Sequence, residues 1–189
     1  MIFTQANNYS AVLDACVLVP MALCDLLLRL AEEPATYRPL WSDQILTEMT
    51  RTMKTKLNRS AADAAWRREQ MTQAFPEATV KVPDELSNAL DCIPDPNDRH
   101  VLAAAIMAHA DAIVTQNIKH FPGNCLEKFG VQCQTADEFL IRQYQLGPQL
   151  MLDKLDDQAA GISQNREYVI RSLRPVAREF VRIVEYHVL

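Results

Sequence analysis

The stretch Ala11-Val12-Leu13-Asp14-Ala15-Cys16-Val17-Leu18-Val19 is apolar except for one acid. An apolar run without alternation reads as a strand covered on both faces, the kind found at the centre of a parallel sheet. Pro20 then opens a helix that carries Leu23, Leu26, Leu27 and Leu30 on one side, and Glu32-Glu33-Pro34 ends it. A second short strand is expected from Tyr37 to Trp41. Ser42 or Asp43 caps a helix bearing Ile45, Leu46, Met49, Met53 and Leu57 at helical spacing, and Ser60 caps another that runs to about Phe75. Thr79 to Val82 reads as a strand, with a short helix from Asp84 to Leu90. Asp95-Pro96-Asn97-Asp98 is a strong helix start. Ala112 to Thr115 and Val131 to Gln134 are further strands, and Thr135 caps a helix to about Tyr144. This alternation specifies an α/β domain with a mainly parallel sheet. Gly147-Pro148 marks a boundary, after which the chain is helical and Pro175 interrupts it.

The composition excludes several classes. The chain has 189 residues, 49% hydrophobic and 23% charged, as expected of an ordinary globular protein. No apolar stretch reaches the roughly 18 residues of a membrane span. Residues 1–8 lack the basic start and apolar core of a secretion signal. Five cysteines, an odd number without paired spacing, are read as buried thiols in a reducing cytoplasm. All four glycines lie at or after Gly123, which excludes a Gly-rich phosphate loop before it. The net charge of −5 argues against a broad nucleic-acid footprint. The bases are nonetheless clustered: Arg51, Lys54, Lys56, Arg59, Arg67 and Arg68 in one region, and Arg166, Arg171, Arg174, Arg178 and Arg182 in the tail. Each cluster is either a solvated helix face or a surface for a polyanion. In the first, Arg51, Lys54 and Arg59 are the candidates for contacts to a polyanion backbone, because they follow Glu48 directly. In the tail, Arg171, Arg174, Arg178 and Arg182 are expected on one face of the last helix.

Four positions carry candidate chemistry. Asp14 interrupts an apolar strand, and burying a carboxylate is costly unless it is paired or meets a metal; the alternative is a strand end facing water. Asp98 starts the face that continues through Val101, Leu102, Ala105 and Ile106, so it points toward the sheet, although an acid here also serves the helix cap. Glu48 flanks an apolar stripe and by itself reads as a solvated glutamate. Asn117 follows the Ile113-Val114-Thr115 strand and by itself reads as a turn residue. Acids near strand ends and helix starts of one α/β sheet can converge on a cleft, and hard divalent ions take such oxygen ligands. His120, close to Asn117, either flanks that cleft or is a surface histidine.

The ordered set Val12-Leu13-Asp14-Ala15-Cys16-Val17-Leu18, Trp41-Ser42 with Ile45-Leu46-Thr47-Glu48, Asp95-Pro96-Asn97-Asp98-Arg99-His100-Val101-Leu102-Ala103-Ala104-Ala105, and Ile113-Val114-Thr115-Gln116-Asn117 resembles the PIN-domain nucleases. Within them it looks most like the VapC-type toxins of bacterial toxin–antitoxin pairs. The resemblance implies a PIN-like three-layer fold, with a central mainly parallel sheet flanked by helices. It divides the chain into a nuclease domain, 1–145, and a helical C-terminal extension, 146–189. It further implies a Mg²⁺- or Mn²⁺-dependent endoribonuclease that leaves 5′-phosphate and 3′-hydroxyl ends. Asp14, Glu48 and Asp98 take the positions of the metal-site acids. Asn117 stands where the family often has a fourth acid, while Thr115 and Asp95 occupy supporting positions. The implied partners are an RNA substrate and a cognate antitoxin, with homodimerisation compatible and no membrane. The competing reading is a PIN-like module that binds RNA or protein with weak catalysis.

A haloacid-dehalogenase-like phosphatase is excluded because Cys16 stands where its second Asp is needed. A zinc site lacks any C-x-x-C or H-x₃₋₅-H pair.

Overall fold

The computed structural model describes residues 9–188. The segment read as lacking a secretion signal, residues 1–8, lies outside the described residues. Among those described, five strands form one parallel sheet in the order β3-β2-β1-β4-β5: β1 (Ser10–Leu13), β2 (Arg38–Ser42), β3 (Thr79–Val80), β4 (Ala112–Val114) and β5 (Gln132–Gln134). Every residue of β1 is buried. Since successive side chains point to opposite faces, both faces of the sheet are covered at its centre.

Helices make the crossovers. α1 (Ala15–Leu18) and α2 (Met21–Ala31) lead to β2, and α3 (Asp43–Lys56) and α4 (Ala61–Ala74) to β3. α5 (Asp84–Ala89) and α6 (Arg99–Met107) lead back to β4, and α7 (Gly123–Leu126) to β5. The capping expectations hold. Ser42 accepts the Ile45 N–H, and Ser60 with Asp63 and Thr135 with Glu138 form reciprocal boxes. α6 packs over β1, β2 and β4, and its fully buried Ala103, Ala104 and Ala105 permit the close approach.

Three expectations are corrected. The apolar run 11–19 is not one strand: β1 stops at Leu13, Asp14 takes an extended conformation, and Ala15–Leu18 is a buried helical turn. A short apolar run cannot by itself distinguish strand from buried helix. The cysteines are not all thiols. Cys92 and Cys125 are joined by a disulfide, their Cα atoms 5.5 Å apart across a separation of 33 residues, while Cys16, Cys24 and Cys133 are free. The pairing is created by the approach of the Asp95 loop to α7, which spacing cannot reveal, and it removes the cysteine count as an argument for a reducing compartment.

The third correction concerns the tail. α8 (Ala136–Leu146) is followed by α9 (Pro148–Gly161), α10 (Arg166–Leu173) and α11 (Arg178–Val188). Arg171 lies on α10, Arg174 in the turn with Pro175, and Arg178 and Arg182 on α11. The four therefore share no helix face, but they line one groove across the α10–α11 corner. Two are already engaged, Arg174 with Glu185 and Arg182 with Glu179. The tail helices pack on α2 and α8, and Met151, Leu155, Leu173, Phe180 and Val184 are fully buried in the common core. Among the described residues, no helix is long and apolar enough to cross a membrane.

The strand order positions the site. From β1 the chain moves outward to β2 and β3, then returns to β4 on the other side of β1. The switch point therefore lies between the carboxyl ends of β1 and β4, where open α/β sheets form their binding crevice.

Candidate metal centre

Asp14 leaves the end of β1, and Thr115 leaves the end of the adjoining β4. The Asp14 N–H donates to the Val114 carbonyl, which continues the ladder one residue beyond the strand. Its side chain is buried, at 5% exposure, so the solvent-facing alternative fails. The buried Thr115 hydroxyl donates to Asp14 Oδ2 at 2.6 Å, and the Cys16 thiol donates to the same oxygen at 3.1 Å. Thr115 Oγ1 in turn accepts the Asn117 N–H at 3.0 Å. Burial and the neighbouring Asp14 carboxylate push the Cys16 thiol up to about 12, so it stays protonated and able to donate.

Asp98 approaches from the other side. Asp95 accepts the Asn97 N–H at 2.9 Å and starts a 3-10 turn, Pro96–Asp98, that runs into α6. Burial raises the Asp98 carboxyl above the usual carboxylate range. A hydrogen bond from His120 opposes this, and the Asp14 charge adds to it. Asp14 and Asp98 thus feel each other across the mouth of the sheet. His120 Nδ1 lies 2.7 Å from Asp98 Oδ2. The backbone N–H of Asn97 holds the half-buried Asp95 carboxyl below its ordinary range.

Glu48, on α3, is half-buried rather than freely solvated, and its Oε1 lies 3.1 Å from His100 Nε2. His100 is buried on the first turn of α6, two residues after Asp98, so this bond ties Glu48 to the helix that Asp98 begins. His100 Nδ1 has no hydrogen-bond partner. With Nε2–H donating to Glu48, Nδ1 is left as a bare acceptor rather than a buried donor, the cheaper arrangement. Asn117 is exposed and precedes the 3-10 turn Ile118–His120.

The structure therefore gathers Asp14, Thr115 and Cys16 at one corner and Asp95, Asp98 and His120 at another. Among the described residues, the group of three metal-ligating side chains whose donor atoms lie within 4.8 Å of one another is Asp95, Asp98 and His120. Asp14, Glu48 and Asp98 do not close to that spacing. Two carboxylates with an imidazole can hold a divalent ion, with water and substrate filling the remaining positions.

Two histidines carry more than their sequence positions suggested. No sequence signal couples His100 to Glu48. His120 had one: a 3-10 turn repeats every three residues, so Asn117 and His120 share a side of it. Of the basic cluster, Arg51, Lys54 and Arg59 are exposed, whereas Arg67 donates to the Leu18 and Val19 carbonyls and Arg68 pairs with Asp43.

The PIN-domain family model matches residues 10–119, which hold both corners of the site except His120. The chain belongs to the PIN-domain family. Among curated proteins, the chain is 47% identical over 49 residues to a Mycobacterium tuberculosis protein named "Putative ribonuclease VapC50"; the match spans 26% of this chain and 29% of that relative. Among solved structures, a chain of VapBC-1 from nontypeable Haemophilus influenzae aligns with a TM-score of 0.46 and 17% identity, over 67% of this chain and 98% of that one. In this PIN domain the switch-point crevice, with its paired acids, is the candidate centre.

Proposed function

We propose that this PIN domain is a divalent-metal-dependent endoribonuclease and the toxin of a bacterial toxin–antitoxin pair. The observation that supports this best is that Asp14 and Asp98 both open on the switch-point crevice, where the Asp14 charge adds to the raised Asp98 carboxyl. Two carboxylates kept close in a partly dry crevice repel each other, and a shared cation relieves that cost.

In this reading Asp14 and Asp98 hold Mg²⁺ or Mn²⁺. Thr115 fixes the rotamer of Asp14. Glu48, steadied by His100, orients the attacking water, and Asp95 holds the turn that presents Asp98. When bound, such an ion supplies Lewis acidity, making its water a stronger nucleophile and offsetting charge that grows on the phosphate. In-line attack then leaves a 5′-phosphate and a 3′-hydroxyl. Arg51, Lys54 and Arg59, exposed on and just beyond α3, carry the RNA backbone away from the crevice. Residues 1–145 form the nuclease part and 146–189 its helical extension. The relative's printed name, a putative ribonuclease, supports RNA as the substrate, and the resemblance to VapC-type toxins supports an antitoxin as the restraining partner. Action on cellular RNA puts the protein in the cytoplasm, and the fold is compatible with a homodimer.

One observation favours the second reading, a module that binds RNA or protein with little catalysis: Asn117 brings no charge to the crevice. Purified protein mixed with labelled single-stranded RNA separates the two. Cleavage that requires added Mg²⁺ or Mn²⁺ and stops with chelator supports the enzyme, whereas retention of intact RNA under all conditions supports the module.

A further inference from the structure

His120 is half-exposed, yet its position is well determined. It closes the 3-10 turn after Asn117, and the next residue, Phe121, is anchored in the core at 2% exposure. Its N–H donates to the Asn117 carbonyl at 2.9 Å. The Cys92–Cys125 disulfide joins the segment just before Asp95 to the helix just after His120. The two halves of the Asp95, Asp98 and His120 cluster are therefore clamped together through the backbone, independently of the 2.7 Å contact between His120 Nδ1 and Asp98. The half-exposed His120–Asp98 pair itself contributes only about 0–1 kcal/mol of stability.

We propose that His120 is itself a metal ligand, acting with Asp98 beside the supporting Asp95, and that its ring nitrogen makes the site prefer Mn²⁺-like ions to Mg²⁺. The proposal rests on the metal-dependent reading above and adds a donor to it. Mg²⁺ binds almost wholly through oxygen, whereas imidazole raises affinity for the later divalent ions. Asp98 then lies between Asp14 on its inner side and His120 on its outer side. His120 Nδ1 and Asp98 Oδ2, now in contact, are the atoms that would hold the ion.

The test uses full-length protein freed of metal and titrated with Mn²⁺, read by electron paramagnetic resonance for affinity and by its pulsed form for coupling to ¹⁴N. Wild type should show imidazole nitrogen coupling, and His120→Ala should lose it. Mn²⁺ affinity should fall about tenfold in His120→Ala, the lower end for loss of a group supporting a metal site. Mg²⁺ affinity, measured by competition, should change far less. His120→Asp should also lose the coupling and shift preference toward Mg²⁺. Because His120 is half-exposed, unchanged circular dichroism is expected for both variants. Bound Mn²⁺ without nitrogen coupling in wild type, or coupling that persists in His120→Ala, overturns the proposal. Asp14→Asn and Asp98→Asn separate it from the reading beneath it. If they weaken Mn²⁺ binding while His120→Ala changes nothing, only the His120 assignment falls. If wild type binds no Mn²⁺, or neither Asp variant matters, both fall.

Discussion

The acids on the two sides of the crevice are held in opposite ways. Asp14 is fixed by the sheet: it prolongs the β1–β4 ladder, is buried, and takes the Thr115 hydroxyl and Cys16 thiol on one oxygen. Asp98 is fixed by a loop: a proline-initiated 3-10 turn presents it, and its partner is the half-exposed His120. The inner corner is dry and preorganised, with little freedom to adapt. The outer corner is wetter: its backbone is tied by the disulfide, but its more exposed side chains can turn toward an ion or a phosphate. The fold thus supplies one rigid charge and one adjustable charge to the same opening. That division suits a site that must admit a polymer and still hold a cation in place.

The largest expected effect tests whether the two corners act as one unit. Asp14→Asn and Asp98→Asn should each lower RNA cleavage at least about a thousandfold while the fold is retained, since each removes a charge from the metal but keeps shape. Single-turnover cleavage with circular dichroism checks this; a large loss in only one variant would separate the corners functionally.

Next in size is the substrate path. Replacing Arg51, Lys54 and Arg59 with Ala should weaken binding of single-stranded RNA. The slope of log affinity against log salt should fall in magnitude by about 2, near the value for three lost phosphate contacts. Binding to Asp14→Asn protein across a salt series provides the measurement, and an unchanged slope returns these bases to a solvated face.

Support residues should differ between the corners by a smaller amount. Thr115→Val removes a buried donor to a charged oxygen and should cost about 1.5–3 kcal/mol. Asp95→Ala removes a half-buried helix cap and should cost about 1 kcal/mol. Urea unfolding of both variants in chelator compares them, and equal costs would contradict the contrast between a rigid and an adjustable corner.

The smallest effect concerns Asp98 and pH. Its folded-state carboxyl lies above the ordinary range because of burial, with Asp14 adding to it, so the folded protein holds that proton more tightly than the unfolded chain. The stability from this group is present at acidic pH, below the ordinary carboxylate range, and is lost as pH rises through the raised value. Without metal at neutral pH, Asp98→Asn should therefore melt no lower than wild type, and any advantage should vanish at acidic pH. Scanning calorimetry at the two pH values decides it.

How much was legible in the sequence follows the same contrast. Periodicity and caps revealed the βα units, because Ser42, Ser60, Asp95 and Thr135 satisfy local backbone donors three residues away or fewer. Asp14 and Asp98 were visible because an acid in an apolar setting has few cheap explanations. The end of β1 at Leu13 was not visible, since strand and buried helical turn ask for the same apolar residues there. Nor were the Glu48–His100 bond, the Cys92–Cys125 link or the division of the tail arginines between two helices. Each depends on segments brought together by the fold, and local spacing carries no record of that approach.

The most direct test of the central account is the fate of one end-labelled RNA incubated with wild-type protein, with and without chelator, and with Asp14→Asn protein purified in parallel. The account predicts cleavage by wild type only when Mg²⁺ or Mn²⁺ is present, products ending in 5′-phosphate and 3′-hydroxyl, and no cleavage by Asp14→Asn. Cleavage that survives chelator and the Asp14→Asn substitution, or products ending in a 2′,3′-cyclic phosphate, would contradict it.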